Sequence, residues 1–204
     1  MLKVTAYIDG FNLYNGLRDK YGRKYLWLDL QALCRSLTIT GQRLTRVRYF
    51  TAPVRRQPGS LRRQQTFWNA LAVRCDCVTI ERGRFQEKTV TCHKCGNTWR
   101  SYEEKETDVA IVVALVEDAA HKAFDSALVV SADSDLCPAV RSVRRLHPSA
   151  KVVAAFPPAR RSDDLRREVD TSFTIAERKL KAALLPKSLR APDGRTLSRP
   201  PSWT

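Results

Sequence analysis

No apolar run in this 204-residue chain approaches the roughly 20 residues that span a bilayer, so no membrane segment is expected. No leader is apparent either, because Met1-Leu2-Lys3 runs directly into a strand-like apolar stretch. A cytoplasmic protein is therefore expected, with its thiols kept reduced. Acidic residues are few: 21 Asp and Glu stand against 36 Lys and Arg, leaving a formal charge of +15. That balance fits a polyanionic partner, nucleic acid first and an anionic membrane surface second. Internal repeats are absent. The length suits one core and is short for two. Histidine is scarce, and His93, His121 and His147 all lie away from the acidic motifs.

What the chain does have is acids at the ends of apolar runs. Residues 127–130 form an apolar run that leads into Ser131, Asp133 and Asp135 and then a helix opened near Pro138, which reads as a buried strand turning into a helix. Such a turn is the usual place for a site in an open α/β sheet. Helix capping would account for one carboxylate, but two invite a search for partners. Asp9 ends the apolar strand at residues 4–8, and Asn12 opens the helical segment after it. In the helix expected over residues 103–123, Ile111, Val112, Leu115 and Ala119 form a stripe with Asp108 in its middle and Lys105 nearby. A carboxylate there is costly unless paired or metal-bound, whereas Asp118 reads as surface charge.

Further strands are expected at residues 46–51, 77–85 and 151–156. Helices are expected after Asp29, after Ser60, near Asp163 and over residues 172–185. Alternating strands and helices indicate an α/β fold with a mostly parallel sheet, which places Asp9, Asp133 and Asp135 on one rim with Asp108 in reach. Converging carboxylates repel, and a hard divalent cation relieves that. Cys92-x-x-Cys95-Gly96 sits in a polar excursion over residues 84–102, shaped like half of a zinc knuckle. Its completion is open among Cys75 and Cys77, His93, or another subunit. Cys34 and Cys137 read as core residues. Residues 187–204 have turn residues and charge without period, and read as a flexible tail.

Three pieces in order, residues 7–14 (YIDGFNLY), 103–119 (EEKETDVAIVVALVEDA) and 128–138 (LVVSADSDLCP), resemble the NYN domains, which are PIN-like metal-dependent ribonucleases. The likeness spans about residues 3–186, so a single domain over 1–186 is expected. The nearer likeness is to bacterial members with a C-x-x-C insertion. The resemblance implies a three-layer α/β/α sandwich whose acidic pocket binds Mg²⁺ or Mn²⁺ through Asp9, Asp108, Asp133 and Asp135. Asn12 would be a polar pocket residue, with Ser131 or Ser134 secondary. The metals would activate water for in-line attack on an RNA phosphodiester. A homodimer is also raised, because PIN-like domains often pair. The chain departs from many relatives at Ala132, where they have Gly.

Arg55, Arg56, Arg62, Arg63, Arg160 and Arg161 are candidate phosphate contacts flanking the pocket. Phe11, Tyr14, Trp68 and Trp99 are candidates for stacking on bases, with Trp68 better explained as core. A non-catalytic RNA-binding or adaptor module is the alternative. A haloacid-dehalogenase-type phosphatase needs a second Asp two residues after Asp9, and Phe11 stands there.

Overall fold

A computed structural model describes residues 1–54 and 58–203, with the backbone course alone for 85–88 and 100–105. Its centre is a six-stranded parallel sheet built from β1 (Leu2–Asp9), β2 (Gln42–Thr51), β3 (Val78–Arg82), β6 (Ser126–Val130), β7 (Lys151–Phe156) and β8 (Thr171–Thr174), in the order β3-β2-β1-β6-β7-β8. The chain winds outward from β1 on one side, then returns to its other side at β6. The topological switch point therefore lies between β1 and β6, where open α/β sheets place their ligands.

Both faces of the sheet are covered, which is why β1 and β6 carry apolar residues nearly without interruption. Val4, Ala6 and Ile8 pack on one face with α1 (Gly10–Tyr21), α2 (Leu30–Leu37), α3 (Pro58–Arg74) and α7 (Glu177–Ala182). Tyr7, Phe50 and Val129 face the other, beneath α4 (Thr107–Ala120), α5 (Cys137–Leu146) and α6 (Asp163–Glu168). The result is the expected α/β/α sandwich. β4 (Arg84–Thr91) and β5 (Thr98–Lys105) pair as a separate antiparallel hairpin that carries the C-x-x-C turn.

Two glycines set how closely α1 approaches its neighbours. A Cβ on Gly10 would come within 2.5 Å of the Phe50 carbonyl oxygen, and one on Gly16 within 2.5 Å of the Pro158 carbonyl oxygen. Backbone oxygens cannot yield as a flexible side-chain tip can, so both positions exclude a larger residue.

Several expectations are corrected. The helix expected from residue 103 begins at Thr107, because residues 98–105 extend the hairpin and Glu106 adopts a left-handed conformation (φ 80°) that separates the two elements. Lys105's side chain lies outside the described residues. Residues 172–174, expected to open the last helix, belong instead to the edge strand β8, where Phe173 and the threonines favour the pleated sheet, and the helix itself runs over Glu177–Ala182. Asp9, three residues before the expected opening at Asn12, caps α1.

The described part of the expected tail, residues 187–203, is a packed element, not a flexible one. β9 (Ser188–Arg190) pairs with β10 (Thr196–Ser198), and Leu197 and Trp203 are buried. Trp203 meets Trp27 and Phe67 at ring-centroid separations of 6.3 and 5.9 Å. Aromatic burial of this kind supplies what the segment's sequence period does not.

Asp118 is buried, not surface charge. The Tyr7 hydroxyl donates to Asp118 Oδ2 at 2.7 Å, and Arg48 Nη1 donates to the same oxygen at 3.1 Å. Arg46 lies at 3.5 Å, and Arg48 also pairs with Glu81. Burial, with the Asp118 carboxylate beside it, drives the Tyr7 phenol well above its ordinary pKa. The charges thus compensate one another across α4, β1, β2 and β3.

Candidate active site

Asp9 is the last residue of β1 and is buried. Its Oδ1 accepts from the backbone N–H groups of Phe11 (3.1 Å) and Asn12 (2.9 Å), so it does cap α1. Its Oδ2 accepts from the Ser131 hydroxyl at 2.9 Å. Ser131 Oγ in turn accepts from the Asp133 N–H at 3.1 Å. One fully buried hydroxyl therefore sets the distance between the β1 and β6 ends. Asn12 adds a second tie, its Oδ1 accepting from the Ala132 N–H at 3.1 Å. Ala132 is not among the residues of positive φ, so an alanine there carries no left-handed backbone cost.

Asp133 caps the short 3-10 turn at Ser134–Leu136, its Oδ1 accepting from the Asp135 N–H at 2.9 Å. Asp108 comes from the first turn of α4, a separate segment that packs beside the helix after β6. One carboxylate oxygen from each of Asp9, Asp108 and Asp133 lies within 4.8 Å of the others. Capping explains two of these acids singly but not their convergence with the third.

The electrostatics of the cluster are unfavourable as they stand. Burial pushes the Asp9 carboxyl up to about 6, against the lowering effect of its hydrogen bonds, and the charges of Asp108 and Asp133 push the same way. Asp108 is raised by partial burial and by Asp133 and Asp135, although its side chain reaches solvent. The donor set is entirely hard oxygen and carries excess negative charge, which fits a divalent cation such as Mg²⁺ or Mn²⁺.

Asp135 does not join the group of three. It is exposed in a shallow cleft whose lining also includes Arg141 and Arg167, and it acts on Asp108 by charge. The expected quartet is thus a trio with a fourth acid alongside. Arg62 and Arg63 lie on α3, where Arg63 donates to Ser60 Oγ at 2.7 Å. Arg160 is held by Asp19 and Arg161 by Asp163. Arg55 and Arg56 lie outside the described residues.

All six cysteines are free. Cys92 and Cys95 share the hairpin turn, where Gly96 (φ 68°) donates its N–H to the Cys92 carbonyl at 2.8 Å. The backbone N–H groups of Cys95 and Lys94 draw the Cys92 thiol below its ordinary value. Among the described residues, no third Cys, His, Asp or Glu joins this pair. Cys75 and Cys77, considered as its completion, contact Asp29 and Gln31 instead.

Sequence reasoning underrated Ser131. The signal available was its place between a buried strand and Asp133, where a hydroxyl can bridge two acids.

No curated protein matches the chain. A solved structure of a protein of unknown function from Vibrio parahaemolyticus superposes with a TM-score of 0.58 at 19% identity, over 90% of this chain and 96% of that one. At that identity the likeness bears on the fold alone. The family model of the NYN domain matches residues 3–177. Both fold and match are of the PIN-like, nuclease type, and among the described residues no helix is long and apolar enough to cross a membrane. The chain belongs to the NYN domain family.

Proposed function

We propose that the protein is a metal-dependent ribonuclease that hydrolyses RNA phosphodiester bonds at Asp9, Asp108 and Asp133. The observation carrying this reading is the convergence of three carboxylates from separate segments at the sheet's switch point. A divalent cation held there would supply Lewis acidity toward a phosphate and toward water. The chain's own contributions are positional. Ser131 fixes Asp9 against Asp133, and Asn12 locks the β1–α1 turn to the segment after β6. Asp135 is a fourth acid acting beside the trio.

The charge of +15 supports a polyanionic substrate. Arg62 and Arg63 are the favoured phosphate contacts, because Arg160 and Arg161 must share their guanidinium groups with Asp19 and Asp163. Cys92 and Cys95 offer half of a tetrahedral zinc shell, and a second copy of the chain in a homodimer is the proposed source of the remainder. Free thiols throughout suit the reducing cytoplasm.

Labelled single-stranded RNA should be cleaved by wild type with Mg²⁺ or Mn²⁺ and spared in chelator. Asp133→Asn should lower the rate on the order of 10²-fold or more. Equal rates in both proteins, or no cleavage by either across several RNAs, would favour a non-catalytic RNA-binding module.

A further inference from the structure

A cavity of about 500 Å³ lies next to the acidic cluster on the α1–α3 side of the sheet. It begins at Gly10, the residue after Asp9, and reaches Thr51 at the end of β2, the strand whose Phe50 pairs with Asp9. The two sites thus meet at the β1–α1 turn. Tyr49 lines this cavity and feels the Asp9 charge.

The walls of the cavity are apolar and aromatic: Leu17, Leu26, Tyr49, Phe67 and Trp203. Three guanidinium groups, those of Arg18, Arg23 and Arg63, also line it. The volume falls within the range of small-molecule sites, roughly 300–1,000 Å³. Aromatic walls with cationic groups beside them complement one chemistry closely, a planar base carrying a phosphate. The buried Trp203 lies just beyond the C-terminal hairpin, which ends at Ser198, so the end of the chain helps to wall the cavity instead of trailing from it.

We propose that this cavity receives one unpaired nucleobase of the RNA strand, with Arg23 and Arg63 holding its phosphate, and so positions the neighbouring phosphodiester at the acids. This rests on the ribonuclease reading, but the binding does not require catalysis. The base, stacked near Trp203, makes the cavity a nucleotide-recognition subsite.

The test is tryptophan fluorescence of the full chain in chelator, titrated with each of the four ribonucleoside 5′-monophosphates and with ribose 5-phosphate. Saturable quenching is expected from at least one nucleotide, and none from ribose 5-phosphate. The Arg23→Ala/Arg63→Ala protein should bind at least about five-fold more weakly, as expected for lost charge-assisted contacts. Asn15→Trp, which adds bulk from α1 where Asn15 lines the cavity, should abolish the saturable component. Quenching by ribose 5-phosphate as strong as by nucleotides, unchanged binding in both variants, or no quenching up to about 10 mM, far above the range of useful affinity, would overturn the proposal. Because no metal is present, a protein that cleaves RNA yet binds no nucleotide refutes the subsite alone, and the reverse result refutes the nuclease alone.

Discussion

Asp9→Asn should make the metal-free protein more stable at pH 8 while removing a site acid. In chelator, the buried Asp9 carboxylate is held near Asp108 and Asp133, and its pKa stands at about 6 rather than the ordinary 3.8. A raised carboxyl pKa means that the folded state binds the proton more tightly than the unfolded state. Between about pH 4 and 6 the folded state therefore carries more protons, and stability falls as pH rises through that window. Above it, the full cost of the buried charge is present. Asparagine keeps the cap on α1, because its oxygen accepts from the same N–H groups, and it removes the charge. The expected gain is on the order of 1–3 kcal/mol at pH 8, fading toward pH 4. Thermal or urea unfolding in chelator across that range would read it. A variant less stable than wild type at pH 8, or a gain that grows as pH falls, would contradict this picture of the cluster.

Asp118→Ala should have the opposite character, with a large loss of stability and no loss of metal affinity. Its carboxylate is the shared acceptor of Tyr7 and Arg48, both inward-facing from the sheet, with Arg46 at the margin. Removing it leaves a mostly buried guanidinium with one fewer partner and a buried hydroxyl with none of its present bonding. Arg48 retains Glu81, and Arg46 is half exposed, so the cost falls below that of a fully buried pair. A loss of about 2–4 kcal/mol is expected. Urea midpoints should drop with an unchanged m-value. Asp108 and Asp118 are ten residues apart on one helix, roughly 15 Å along its axis, so Mn²⁺ affinity should stay within about two-fold. A shift below about 0.5 kcal/mol would mean the network contributes only as exposed ion pairs do.

The parts legible in the sequence were those with local signals. Asp9 and Asp133 each follow an apolar run, and such runs end on the same rim of a parallel sheet. Asp108 was found by its helical position, although the structure gives it a different justification. It sits in the first turn and reaches solvent, and what marks it is proximity to two acids at the ends of β1 and β6.

The parts not legible depend on partners distant in sequence. Asp118 has no neighbour in its own helix that explains burial, and its partners are on β1 and β2. Trp203 follows a turn-rich segment without periodicity, and only Trp27 and Phe67 give it a place. The strand at residues 171–174 is four residues long, too short for alternation to outweigh the helical pattern that follows. The cavity beside the acids is likewise a product of tertiary packing, with walls from α1, β2, α3 and Trp203 near the end of the chain.

The central claim is that Asp9, Asp108 and Asp133 together form a divalent-cation site. Calorimetric titration of chelator-stripped protein with Mn²⁺ at pH 8 tests it most directly, because it reads binding without any substrate. Saturable binding is expected in wild type, weakened at least about ten-fold by Asp108→Asn and unaltered by Asp118→Asn. Wild-type protein that takes up no Mn²⁺, or an Asp108→Asn protein that binds it as tightly, would contradict the account.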